Sequence, residues 1–95
     1  MKLICVAIFQ YDNDGICVSV PDLPICNTCG YSHDEALQMA KEVIELGLHG
    51  MHVDDLPVFR SKEEFTLLPN QKSIDVIIDI ENHGGVLFSP HVMPL

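Results

Sequence analysis

Basic residues are scarce in this chain: five Lys and Arg stand against fourteen Asp and Glu, for a formal charge of −9. A field of that sign repels phosphate backbones and favours cationic partners, which argues against nucleic-acid binding by the chain alone. Long apolar runs are missing as well. Leu3 to Phe9 and Ile74 to Ile80 fall far below the roughly 18 residues that a membrane span needs. Met1-Lys2 leads straight into a strand-like run with no small-residue cleavage site, which argues against a signal peptide and for a cytoplasmic location. The sequence contains no internal repeat and no low-complexity segment.

What is present suits one packed domain: 95 residues, of which 47% are hydrophobic, enough for a single core. The four cysteines are Cys5, Cys17, Cys26 and Cys29. Without a secretion signal an even count does not argue for disulfides. Cys5 and Cys17 lie inside apolar strand-like runs, where free cysteine behaves as a small hydrophobe, and both are expected in the core.

The run from Leu3 to Phe9 is rich in β formers and nearly unbroken, the pattern of a strand covered on both faces. Asp12-Asn13-Asp14-Gly15 is turn chemistry, and Ile16 to Val20 reads as the returning strand of a hairpin. Pro21 and Pro24 interrupt the ladder because neither has an N–H to donate. A short third strand is expected from Cys26 to Cys29, ending at Gly30.

Ser32-His33-Asp34-Glu35 has the form of a capping box, with Ser32 receiving the Glu35 N–H and the Glu35 carboxylate reaching back to the Ser32 N–H. Asp34 and Glu35 also suit the positive end of a helix dipole. At about 100° per residue, Ala36, Leu37, Ala40, Val43, Ile44, Gly47, Leu48 and Met51 share one face of the helix that follows. Gln38, Lys41, Glu42, Glu45 and His49 fall opposite. Small residues at Ala36, Ala40 and Gly47 would let this helix lie close on a sheet. Met39 and Leu46 extend the apolar surface to one side, as flanking core or as part of a subunit contact.

Gly50 suits the helix stop. Asp54-Asp55-Leu56-Pro57 is a turn, and Ser61-Lys62-Glu63-Glu64 is a second capping-box pattern ahead of Pro69-Asn70. Ile74, Val76, Ile78 and Ile80 alternate along a last strand. After Asn82 the chain, with Gly84, Gly85, Pro90 and Pro94, shows no clear periodicity; it packs as an extended arm or stays loose. The expected fold is α+β in the order β-β-β-α-β, a four-stranded sheet with one main helix on one face. Residues 1–81 form the domain and residues 82–95 a C-terminal tail.

The stretch Val20-Pro21-Asp22-Leu23-Pro24-Ile25-Cys26-Asn27-Thr28-Cys29-Gly30-Tyr31-Ser32-His33-Asp34-Glu35-Ala36-Leu37-Gln38-Met39-Ala40 resembles the signature of the HicB antitoxin family. That signature runs apolar, Pro-Asp-Leu-Pro-Gly-Cys, a polar residue and Thr, then Gly, a Ser or Thr cap, and Glu-Ala-Leu with Ala three later. Asp14-Gly15-Ile16-Cys17-Val18 is similar to the family's Asp-Gly hairpin, and the similarity extends from about Lys2 to Glu81. Ile25 stands where the family usually has Gly. Many family members also carry a C-terminal helix-turn-helix or ribbon-helix-helix segment for operator DNA; Asn82 to Leu95 contains no Lys or Arg and cannot make one. The resemblance implies a degenerate ribonuclease H-like fold without catalysis, in an antitoxin that caps a small basic ribonuclease toxin of the HicA type.

Three chemistries are weighed against that reading. Cys26-x-x-Cys29 is half a zinc signal, and a strand would point the two thiols to opposite faces. A metal-dependent nuclease needs a carboxylate on its first strand, which Leu3 to Phe9 does not supply. Asp75, Asp79 and Glu45 are read as solvated charges. Nucleophilic catalysis finds no motif joining His33, His49, His52, His83 or His91 to a Ser or Cys. The expectation is therefore no enzyme, no catalytic residue, no cofactor and no metal.

The partner expected is a small basic HicA-like toxin protein, met by Asp54, Asp55, Glu63 and Glu64 in the loops after the helix. A homodimer or tetramer is expected from exposed sheet edges with Met39 and Leu46. Duplex DNA and membrane are not expected partners of this chain alone. The alternative is a stand-alone α/β domain binding RNA or a small ligand on its sheet. Against it, Lys2, Lys41, Arg60, Lys62 and Lys72 are dispersed, and only Tyr11 and Tyr31 are expected as exposed rings.

Overall fold

The computed structural model describes residues 1–92 of the chain; Pro94 of the expected tail lies outside them. The long apolar run becomes β1 (Lys2–Asp12), which turns through Asn13-Asp14 into β2 (Gly15–Ser19). Gly15 has φ +147°, a conformation a side chain rarely adopts, so the Asp-Gly position is set by backbone need. Two turn bonds follow, Leu23 N–H to Val20 O at 3.0 Å and Cys26 N–H to Leu23 O at 2.8 Å. They fold the Pro-Asp-Leu-Pro segment and deliver the chain to β3 (Asn27–Gly30), one residue later than expected.

Helix α1 (His33–Leu48) then crosses the sheet, and β4 (Gln71–Asp79) returns beside β1. The sheet order is β3-β2-β1-β4 with every neighbour antiparallel. The β1–β4 ladder reaches the chain start, where the Ile80 N–H donates to Met1 O and the Met1 ammonium to Ile80 O. The architecture is α+β, a four-stranded antiparallel sheet with one main helix.

The pleat sorts the side chains. Cys5, Ala7 and Phe9 of β1, Ile16 and Val18 of β2, and Val76 and Ile78 of β4 join Ala36, Ala40, Ile44 and Leu48 of the helix in one buried cluster. On the opposite face Ile4 and Ile77 are exposed, while Val6 is buried apart from that cluster. The expectation of a first strand covered on both faces therefore holds only at its middle. Cys17 corrects the sequence reading: it shares the parity of the outer face and is exposed, whereas Cys5 is buried.

The helix starts as the cap predicts, with the Glu35 N–H donating to Ser32 Oγ at 3.1 Å. The reciprocal arm differs: the Glu35 carboxylate receives the Tyr31 N–H at 3.0 Å. Small residues set how closely the helix lies. A Cβ on Gly47 would stand 2.7 Å from Cys26 Sγ, and one on Gly30 would stand 2.6 Å from the Ala36 backbone nitrogen. Both approaches lie well inside van der Waals contact, so larger residues would lift the helix from the β3 side. Met39 and Leu46 fall outside this packing and are exposed, so they are not flanking core.

The segment without periodicity folds into a hairpin, β5 (Glu81–His83) and β6 (Val86–Phe88). Gly84 and Gly85 make its turn at φ +63° and +94°, and Asn82 Oδ1 accepts the Gly85 N–H. The chain leaving the helix pairs with this hairpin. Gly50 N–H donates to Leu87 O, Leu87 N–H to Met51 O, and Val53 N–H to Gly85 O. Leu87 is completely buried in the main cluster.

Candidate partner-binding surface

Asp22, in the Pro-Asp-Leu-Pro segment, organises the loops around the sheet. Its carboxylate accepts the Arg60 backbone N–H at 2.8 Å and the Arg60 Nε–H at 2.7 Å. The Asp22 side chain is almost fully buried while Arg60 is half exposed, so this is a charge-assisted clamp rather than a loose surface pair. Arg60 also lies over the Phe65 ring, 4.6 Å from its centroid. The clamp ties the loop after β2 to the segment before β4. Each of these two joined segments presents an apolar side chain to solvent: Ile25 is 86% exposed and Val58 is 87% exposed. Neither was picked out from the sequence. The only advance sign was Ile25 at a glycine position, because a large apolar side chain in a short turn has little core to reach.

The four acidic residues expected to meet a partner all reach solvent, on two supports. Asp54 and Asp55 close a 3-10 turn, Val53–Asp55, capped by His52, whose Nδ1 accepts the Asp54 N–H at 3.1 Å. That turn hangs from the β5–β6 hairpin through the Val53 to Gly85 bond. Glu63 and Glu64 lie in a second 3-10 turn, Lys62–Glu64. Glu64 turns back to accept the Ser61 N–H at 2.6 Å, as the second capping pattern predicts. Lys62 reaches Asp75 on the outer face of β4 at 3.7 Å. Between this turn and the sheet lies an open cleft of about 310 Å³, lined by Ile4, Phe59, Arg60, Glu63 and Asp75. Of the four acids Glu63 alone lines this cleft, between an apolar floor and charged walls.

Charges considered for chemistry are engaged elsewhere. Asp75 faces Lys62, and Asp79 faces Lys2 at 3.8 Å. Glu45 corrects the sequence reading: although on the polar side of the helix, it is buried. Its Oε2 accepts from Ser89 Oγ at 3.3 Å and lies 3.1 Å from His91 Nδ1, so the chain beyond β6 folds over it. Its Oε1 is buried without a hydrogen-bond partner among the described residues. The Ser89 hydroxyl points to the carboxylate rather than to a histidine, which is not the order of a nucleophile and its base.

The remaining histidines are spread out. His33 packs against Phe9 with ring centroids 5.5 Å apart, and His49 Nδ1 accepts the Ser89 N–H. Among the described residues no three His, Cys, Asp or Glu side chains gather where a metal ion would sit. Cys26 is buried against Val43 O and Cys29 is exposed, on opposite sides of the sheet. Tyr11, expected as an exposed ring, is half-buried between Phe9 and Lys72, so of the two expected rings Tyr31 alone stands free.

This framework of clamped loops around an antiparallel sheet coincides with a family match. Residues 4–86 match the family described as the HicB-like antitoxin of bacterial toxin–antitoxin systems. The chain belongs to the HicB-like antitoxin family. It is 39% identical over 72 residues to an uncharacterised 14.9 kDa protein from Haemophilus phage HP1, covering 73% of this chain and 54% of that protein. It is 38% identical over 63 residues to a UPF0150 protein of Helicobacter pylori, covering 66% of this chain and 86% of that protein. The HicB-like chain thus spans about half the length of the phage relative. A solved structure, a toxin–antitoxin complex from Streptococcus pneumoniae, has the same fold with a TM-score of 0.69 at 20% identity, over 83% of this chain and 70% of that one. Among the described residues no helix is long and apolar enough to cross a membrane.

Proposed function

We propose that this HicB-like chain is an antitoxin that binds and silences a small basic ribonuclease toxin of the HicA type in the cytoplasm. The observation that carries the reading is the family match across residues 4–86. The charge of −9 supports it, because an acidic surface steers a cationic partner into encounter. In this reading the antitoxin occupies the toxin's RNA-binding face and catalytic residue and performs no chemistry itself. Asp54, Asp55, Glu63 and Glu64 supply charged contacts at the rim, and Ile25 and Val58 supply apolar ones. This division follows the general anatomy of interfaces, apolar at the centre and polar around it.

The protein acts as a homodimer or tetramer, associated through Met39 and Leu46 and the free edge of β3. Exposed apolar side chains beside an unpaired strand edge favour pairing with another copy. Co-expression with the product of the adjacent reading frame tests both statements in one experiment. The expected result is rescue of growth and co-purification of a basic protein, with sedimentation equilibrium giving an even number of HicB-like chains. Failure to rescue or to co-purify any adjacent basic protein removes the antitoxin reading. A monomer at micromolar concentration removes the oligomer.

A further inference from the structure

Cys17 and Cys29 have no part in the partner-binding reading, yet they stand directly opposite one another on β2 and β3. Their pairing type follows from the ladders. The Tyr11 N–H donates to Asn70 O on the β4 side, and Met1 exchanges bonds with Ile80 there, so odd residues of β1 turn their backbone groups toward β4. Even residues therefore bond toward β2, which makes Gln10 and Cys17 a hydrogen-bonded pair. Cys17 consequently turns its N–H and C=O away from β3, and its pairing with Cys29 is of the non-hydrogen-bonded kind. Such pairs hold their Cα atoms about 4.5 Å apart with the side chains close together, within the Cα range of roughly 4.4–6.8 Å that a disulfide spans.

Exposure separates this pair from the other two thiols. Cys17 and Cys29 are exposed on the outer face of the sheet, whereas Cys5 and Cys26 are buried on the helix side. The pairing is at the β2–β3 border, and β3 is an edge strand. A link there would close the loop that carries Asp22 and Ile25.

We propose that Cys17 and Cys29 are a reversible thiol–disulfide site that closes when the chain meets a small-molecule disulfide such as oxidised glutathione. One thiolate attacks the glutathione disulfide, expelling one glutathione thiolate and leaving a mixed disulfide on the protein. The second thiolate attacks the protein-bound sulfur and expels the other glutathione. The protein gives up two electrons and two protons, and the oxidant becomes two reduced glutathione molecules. Local desolvation, and then the nearby Asp12 carboxylate, push the Cys17 thiol up from its ordinary value, so closure quickens as pH rises.

The test uses the full chain, purified reduced, incubated with oxidised glutathione and mapped by peptide mass spectrometry under denaturing, non-reducing conditions. Free thiols are expected to fall from four to two, with a single Cys17–Cys29 cross-linked peptide that reductant reverses. In Cys17→Ser and in Cys29→Ser, a stable mixed disulfide with glutathione is expected on the surviving exposed cysteine. Since both positions are exposed, these variants should keep the circular dichroism of the parent. Glutathione adducts on Cys17 and Cys29 of the unaltered chain without the cross-link would overturn the proposal. A cross-link through Cys5 or Cys26, or one between chains, would do the same.

Discussion

The two faces of the sheet are made from the same strands and do different work. Under the helix, Cys5, Ala7, Phe9, Val18, Val76 and Ile78 are buried beneath Ala36, Ala40 and Ile44. On the other side Ile4, Cys17, Cys29 and Ile77 lie open, Val6 alone is buried, and a turn with Glu63 at its tip borders a cleft. Neighbouring residues of one strand thus serve stability and contact with the surroundings in alternation. The difference is one of covering rather than composition, since Ile77 and Ile78 are the same residue type.

That comparison is sharpest at those two isoleucines. Ile78→Ala removes buried methyl groups and leaves a cavity, at a cost of about 2–5 kcal/mol. Ile77→Ala, at 53% exposure, should change stability by less than about 0.5 kcal/mol. Urea unfolding of the two variants side by side measures the gap, and equal losses would mean that the outer face is covered in solution.

Cysteine gives a second contrast. Burial, with Asp22 and Cys26 as further causes, pushes the Cys5 thiol from 9.0 up to about 12. The unfolded chain ionises this thiol near its ordinary value while the folded chain holds it neutral. Its contribution to stability is therefore complete below pH 9 and is lost as pH climbs toward about 12. Urea midpoints of the parent and of Cys5→Ala, compared between about pH 8 and pH 11, isolate this part from every contribution the two chains share. The parent should lose more than the variant. A parallel decline in both would show that Cys5 is already solvated.

Much of this was legible along the chain. The Ser32 cap, the apolar face from Ala36 to Leu48, and the alternation at Ile74, Val76 and Ile78 place the helix and the fourth strand where they occur, although β4 is not the last strand. What was illegible came from chain far away. Glu45 sits on the polar side of its helix and is buried because Ser89 and His91, more than forty residues on, fold over it. The β5–β6 hairpin has strands of three residues, too short for any period to emerge. Cys17 is different, because its parity with Ser19 and against Ile16 and Val18 already marked the outer face. The alternation is masked because cysteine is itself apolar and continues the run from Ile16 to Val18. The four acidic residues were found as a charge cluster, but not the Asp22–Arg60 clamp, whose partners are 38 residues apart.

The smallest effect on folding, and the most telling for the proposed recognition, should come from the acidic turn at Asp54 and Asp55. Asp54 and Asp55 are exposed and close their turn mainly through backbone atoms, Asp55 N–H to His52 O and Leu56 N–H to Val53 O. Reversing both to Lys moves the net charge from −9 to −5, four units, since each Asp to Lys change adds two. The cap on the Asp54 N–H comes from His52, so the turn keeps its bond, and stability should shift by less than about 0.5 kcal/mol. Against a basic toxin the same change should slow association more than it speeds dissociation, because rim charges act on the approach. The deficit should shrink with added salt as the Debye length falls from about 10 Å at 0.1 M to about 3 Å at 1 M. Surface plasmon resonance at those two ionic strengths reads both rates. A salt-independent rise in the dissociation rate would move Asp54 and Asp55 from the rim to the centre of the interface, and unchanged rates would leave recognition to Ile25, Val58 and the cleft beside Glu63.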